Sequence, residues 1–209
     1  MFRLSFCVAS TLFVMVSAPL HAQGQVNVIC SVPMPWCEAL AAQFTKETGI
    51  KVGLTQKGSG ESMAQVAAEK ANPKYDVWYA GTGNPHLQAA ELGLTEEYKS
   101  PMLAELYDWA ARQAEQSKFR TDRCVIKGAR NLDNAKKFYD WALTPAAQKI
   151  DGNLGNFRTP SNKTTRIPAG ALKMSDLRLI AYDFAKYGSA TERKRILGKW
   201  DKDVYALPR

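Results

Sequence analysis

The chain has 209 residues, 45% of them hydrophobic and 23% charged, with a formal charge of +8. That is enough apolar material for one ordinary core or two small ones, and it argues against a disordered chain. Lys and Arg are scattered along the sequence with no basic stripe interleaved with aromatics, so the positive charge reads as a solvated surface and no nucleic-acid partner is expected.

Residues 1–22, "MFRLSFCVASTLFVMVSAPLHA", have a basic start at Arg3, an apolar run from Leu4 to Val16 and small residues ending at Ala22. The run is too short to span a bilayer and fits a secretory signal, so the mature chain is expected to be exported. Losing Arg3 and Cys7 takes the formal charge from +8 to +7 and leaves three cysteines, Cys30, Cys37 and Cys124. An odd count allows one intramolecular bridge at most. Cys30 and Cys37 can form it if Cys30 ends a strand and Cys37 opens the next helix; three buried thiols are the alternative.

The segment "QVNVIC" (25–30) alternates Val26, Val28 and Cys30 with polar neighbours, a strand. Trp36, Leu40, Phe44 and Thr48 recur every four residues, which predicts an amphipathic helix stopped by Gly49. A second strand follows at 50–56, then the loop Gly58-Ser59-Gly60 and a helix from about Glu61 to Ala71. A third strand is expected at 75–81, and Thr82-Gly83-Asn84-Pro85 caps a further helix. Strands alternating with helices predict an α/β fold with a mostly parallel sheet, whose ligand crevice lies at the carboxyl ends of the strands.

Beyond residue 100, Leu103, Leu106, Tyr107, Ala110, Ala111 and Ala114 predict a helix, and "CVIKG" (124–128) a last strand. Leu132, Ala135, Phe138, Tyr139 and Ala142 share one helical face, with Pro145 near its end. Residues 152–174, rich in Gly, Asn and Pro, predict an irregular crossing. Two closing helices are expected, one carrying Leu177, Ile180, Ala181, Phe184 and Tyr187, the other running from Ser189 to Val204.

A parallel sheet brings three loops together: Ser31 to Pro35, Gly58 to Ser62, and Gly81 to Asn84. Each enters a helix N-terminus, where free N–H groups favour anions and glycines admit a ligand to the backbone. Ser59, Ser62 and Thr82 add hydroxyls; plain helix capping explains any one of these loops equally well. Enzymatic signatures are missing. "GSGES" lacks the Gly-Lys-Ser/Thr of a nucleotide loop, and His86 is the only histidine outside the signal, too few for a histidine triad or a multi-histidine metal site. His86 is read as a surface or packing residue, no cofactor is expected, and no reaction is assigned.

The stretches "VNVICSVPMPWCEALAAQFTKETGIKV", "SGESMAQVAAEKANPKYDVWYAGTGNPHLQAAELGLTEEYKSP", "KGARNLDNAKKFYDWALTPAAQ" and "MSDLRLIAYDFAKYGSATERKRILGKWDKDV" together resemble extracellular (periplasmic) solute-binding proteins of ABC importers, in the ferric iron or spermidine/putrescine-like branch. The resemblance implies periplasmic-binding-protein-like (type II) lobes, a small-molecule ligand, an importer permease as partner and a periplasmic location. By matching position it gives ligand-binding roles to Ser31, Ser59, Gly60, Thr82 and Gly83. Members are longer: between "ARQAEQSKFRT" and "CVIKGARN" the family carries most of a second lobe, where this chain has only Asp122 and Arg123. The expected organisation is therefore a signal (1–22), a first α/β lobe (23–151, seam near 121–124) and a crossing with C-terminal helices (152–209). Half a cleft implies weakened capture, or a lobe that self-associates or docks on the transporter. The family's first-lobe iron ligands, a histidine and a glutamate, correspond to Pro33 and Thr82, so an anionic or phosphate-like ligand is preferred over bare ferric iron.

Overall fold

A computed structural model describes residues 24–111, 124–178, 180, 183–187 and 189–207. The signal, residues 121–123 of the seam, and Ala181 lie outside the described residues.

Strand β1 (Gln25–Cys30) is central, flanked in parallel by β2 (Lys51–Gln56) and β3 (Val77–Tyr79). The register runs from Gln25 beside Lys51 to Cys30 beside Gln56, and from Val28 beside Val77 to Cys30 beside Tyr79. Both faces of β1 are covered, as expected of a parallel sheet. On one face Val26 and Val28 pack with Leu40 and Phe44 of α1 (Met34–Thr48) and with Phe138 and Trp141 of α4 (Leu132–Ala142). Phe44 meets Phe138 and Trp141 edge-on, at centroid distances of 5.0 and 5.3 Å. On the other face Ile29 and Trp78 pack against Val66 of α2 (Ser59–Ala68) and Ala89 of α3 (Gly83–Glu91).

The strand expected at 75–81 shortens to three residues because the chain reverses at Ala80 (φ 58°) and Gly81 (φ 97°). The strand expected at 124–128 is present as isolated antiparallel bridges, Val125 to Val77 and Ile126 to Thr95. The Trp78 and Glu96 amides donate to Cys124 O and Val125 O, each at 2.8 Å, so residues 124–126 lie between β3 and the 94–96 segment. Buried Asp76 locks this corner. Its carboxylate accepts the amides of Asn27 (2.7 Å) and Asn131 (2.9 Å) and the Asn131 side chain (2.9 Å).

The helix expected from Leu103 is split. Pro101–Glu105 forms a 3-10 turn capped by Ser100, Leu106 is extended and bridges Asn162, and a helical turn occupies 108–111. Pro145 begins a separate helix, α5 (Pro145–Asn153), because proline is tolerated at a first helical position and breaks an interior one. Among the described residues the first closing helix is one turn, α6 (Phe184–Tyr187). The second, α7 (Ala190–Trp200), buries none of its residues, and Ile196, Leu197 and Trp200 are exposed.

Candidate functional site

The three loops do converge at the carboxyl end of the sheet. Ser31 extends β1, its amide donating to Tyr79 O at 2.9 Å. Its hydroxyl oxygen accepts the Trp78 indole N–H at 2.9 Å and lies 3.0 Å from the buried Ser62 hydroxyl. Ser59 Oγ accepts the Thr82 amide at 3.0 Å. Gly81 fits where it does because a Cβ there would run into Ser59 Oγ and sit 2.8 Å from Ser31 Cβ. The structure thus brings Ser31, Ser59 and Thr82 together, but engages the two seryl oxygens in fastening the loops to each other. Gly60 faces open space, and Gly83 borders the cavity described below.

The covalent tie that the cysteines permit is present: Cys30 and Cys37 are disulfide-bonded across a Cα separation of 6.1 Å, and Cys124 carries the unbridged thiol. The bond joins the end of β1 to the first turns of α1 and closes the first loop into a ring.

The helix N-termini are not equivalent. The Glu61 carboxylate reaches back to the Gly58 amide at 2.9 Å, so α2 carries its own negative charge in its first turn. The first turns of α1 and α3 have no acidic residue and no side-chain cap. Their free N–H groups and positive dipole ends remain unmatched by any carboxylate of their own.

His86, in the first turn of α3, stacks on Trp78 at 3.9 Å between centroids, and in the Nε2–H tautomer it donates to Ala80 O at 2.8 Å. Its Nδ1 is buried and has no partner, and burial holds the imidazole below its usual pKa, the hydrogen bond to Ala80 opposing that in part. A neutral packing residue bracing the Ala80-Gly81 reversal accounts for this arrangement.

Beside the third loop opens a cavity of about 520 Å³. Its walls are mainly apolar, with Trp36, Trp109, Tyr139 and Leu106 prominent, and Gly81 and Gly83 at its rim. Polar groups enter from the irregular crossing and α5: Arg158, Ser161, Gln148 and Asp151. The Arg158 guanidinium lies over Trp36, 4.4 Å from the ring centroid, and its Nε is 3.8 Å from Asp151 Oδ2. Burial pushes the Tyr79 phenol up, with the nearby Cys124 and Asp151 adding to the effect, so it stands in this wall as a neutral hydroxyl. The sequence puts Trp36 on the apolar face of a helix and Arg158 in the Gly- and Pro-rich crossing, and no local signal joins the two. Among the described residues no group of three or more His, Cys, Asp or Glu could hold a metal ion, and no helix is long and apolar enough to cross a membrane.

A parallel sheet with helices on both faces, and loops gathered at its carboxyl end around a cavity, is the lobe architecture of periplasmic binding proteins. Solved structures bear this out: the periplasmic binding protein P5PA superposes with a TM-score of 0.78 at 21% identity, covering 87% of this chain and 99% of that one. AfuA of Actinobacillus pleuropneumoniae, solved with fructose-6-phosphate bound, gives 0.75 at 23% identity, covering 88% and 99%. Iron-bound HitA of Pseudomonas aeruginosa gives 0.70 at 13% identity, covering 88% and 100%.

Residues 26–118 match the family described as bacterial extracellular solute-binding protein. An uncharacterised protein of Haemophilus influenzae is 24% identical over 322 aligned positions, spanning 90% of this chain and 93% of that protein. Since the chain has 209 residues, at least 113 of those positions (322 less 209) face no residue here. The chain thus aligns over nine-tenths of its length with a relative that carries many positions it does not.

Proposed function

We propose that the chain is the solute-capturing component of an ABC importer, exported to the periplasm, working with a membrane permease and performing no catalysis. The observation that carries this reading is the cavity at the carboxyl end of a parallel sheet, rimmed by the N-terminus of α3, which has no carboxylate of its own. That setting favours a small anionic or phosphate-like ligand. Bare ferric iron is disfavoured: Pro33 and Thr82 stand where ferric binders supply a histidine and a glutamate, and neither offers a strong iron donor. The positions without counterpart leave a bound ligand enclosed on one side, so capture is weaker than in a two-lobed relative.

Calorimetric titration of the mature chain against fructose 6-phosphate, inorganic phosphate, ferric citrate and spermidine tests the reading. Heat with the anions and none with spermidine is expected; a response to spermidine alone would reverse the ligand assignment, and silence throughout would remove the capture role.

A second reading rests on α7. Ile196, Leu197 and Trp200 are 47, 49 and 55% exposed, so this helix offers an apolar surface for a second copy or for docking on the transporter. Light scattering that finds a monomer at every concentration would count against self-association.

A further inference from the structure

Arg158 is the only Lys or Arg side chain among the described residues lining the cavity, and its setting is specific. Its flat guanidinium is laid against the Trp36 ring, which fixes the plane of the group. Asp151 approaches it at Nε, and at 3.8 Å that is longer than a hydrogen-bonded ion pair. One Asp151 oxygen is instead taken by the Asn156 side chain, at 2.5 Å. The side chain is 52% exposed, and its two terminal nitrogens make no hydrogen bond with any described residue, so their paired N–H groups form an unspent fork that suits a carboxylate or phosphate. The same cavity is lined by aromatic and aliphatic side chains, among them Trp36, Trp109, Tyr139 and Leu106.

We infer that the cavity takes an amphipathic anion: a carboxylate or phosphate monoester head held by the outer edge of Arg158, on a ring-sized apolar body packed against Trp36, Trp109 and Tyr139. The inference rests on the solute-capture reading and narrows it, because the walls are mainly apolar, with the indole N–H groups of Trp36 and Trp109 and Nδ1 of His86 as the buried polar atoms without a partner among the described lining residues. Ser161 adds a second contact for the head. Its oxygen accepts Gln148 Nε2 at 2.8 Å, which leaves its own O–H to donate.

The test is a calorimetric titration with 3-phenylpropionate, its uncharged counterpart 3-phenylpropan-1-ol, and acetate, on the mature protein and on Arg158→Gln and Arg158→Lys. The acid is expected to bind more tightly than the alcohol or acetate. Arg158→Gln should weaken the acid about tenfold to a hundredfold, the scale of a lost charged hydrogen bond, without changing the alcohol, and Arg158→Lys should restore part of the loss. Since Arg158 is half exposed, Arg158→Gln should melt at the wild-type temperature, which separates a binding effect from unfolding. Equal binding of acid and alcohol, or an acid affinity unchanged in Arg158→Gln, overturns the inference. Fructose 6-phosphate binding that ignores Arg158, with the phenyl acid silent, overturns the inference and leaves solute capture standing; silence of both removes the two together.

Discussion

Ser59 Oγ accepts the backbone N–H of Thr82 at 3.0 Å, so the loop after β2 is fastened to the loop after β3. The fastening needs Gly81, whose φ of 97° and lack of a Cβ let the third loop pass Ser59 and Ser31. Gly81→Ala should therefore lower stability by roughly 2 kcal/mol or more from positive-φ strain plus the clash, read as a drop in denaturant midpoint. Ala80, at φ 58° without the glycine's freedom, gives the opposite result: Ala80→Gly should be neutral or stabilising by up to about 1 kcal/mol. Equal losses from the two substitutions would refute the strain account.

Asp76 is 1% exposed and its carboxylate accepts three hydrogen bonds that join β1, β3 and the start of α4. Asp76→Ala leaves those donors buried without partners, at a cost of about 3 kcal/mol. Urea unfolding should show a lower midpoint at unchanged slope. A loss under about 1 kcal/mol would mean that water or a shifted Asn131 takes over the role.

Reduction of the Cys30–Cys37 bond should destabilise the mature chain by roughly 2 to 3 kcal/mol, the loop-entropy scale for so short a separation. Alkylation of the native, unreduced protein should modify Cys124 alone, seen by mass as one adduct. Three adducts without reductant would show that the bridge is not formed.

His86 gives a pH dependence whose sign is fixed by burial. Its pKa is lower folded than unfolded, so between those two values the unfolded chain binds the proton that the folded chain refuses. Stability contributed by neutral His86 is full above the unfolded pKa of about 6.5 and is lost as the pH falls below it. Protonating Nδ1 would also create a buried donor without an acceptor. Melting curves from pH 8 to 5 should show an acid decline that is smaller in His86→Gln; an identical decline would place the titration elsewhere.

Most of the first hundred residues could be read from the sequence because local and tertiary preferences agree there. The Val26-Val28-Cys30 alternation, the Trp36-Leu40-Phe44 repeat and the αL Gly49 all act where they were expected to. Ser31, Ser59 and Thr82 were legible as neighbours because a parallel sheet gathers such loops. Their hydrogen-bond roles were not, since nothing local says that Ser31 meets Trp78. Arg158 and Trp36 were missed because their pairing depends on how a long irregular segment crosses the lobe. Leu106 satisfied a helical repeat yet is buried in extended form against Asn162. The repeat containing Leu177 and Ile180 was overread for another reason: a helix takes most of its stability from covering its apolar face, and Ile180 is 81% exposed.

The ring closed by Cys30–Cys37 makes the three loops unequal in compliance. The first is anchored by a covalent bond within a few residues of either end, whereas the second and third hold each other through a single amide-to-hydroxyl contact that solvent can replace. Deformation at this end of the sheet therefore concentrates in the pair that can separate, with the first loop as the fixed jaw against which they move. Hydrogen exchange should reflect that order: slow at Ser31, whose amide donates to Tyr79 O, and fast at Thr82, whose exchange quickens further when Ser59 is replaced by alanine.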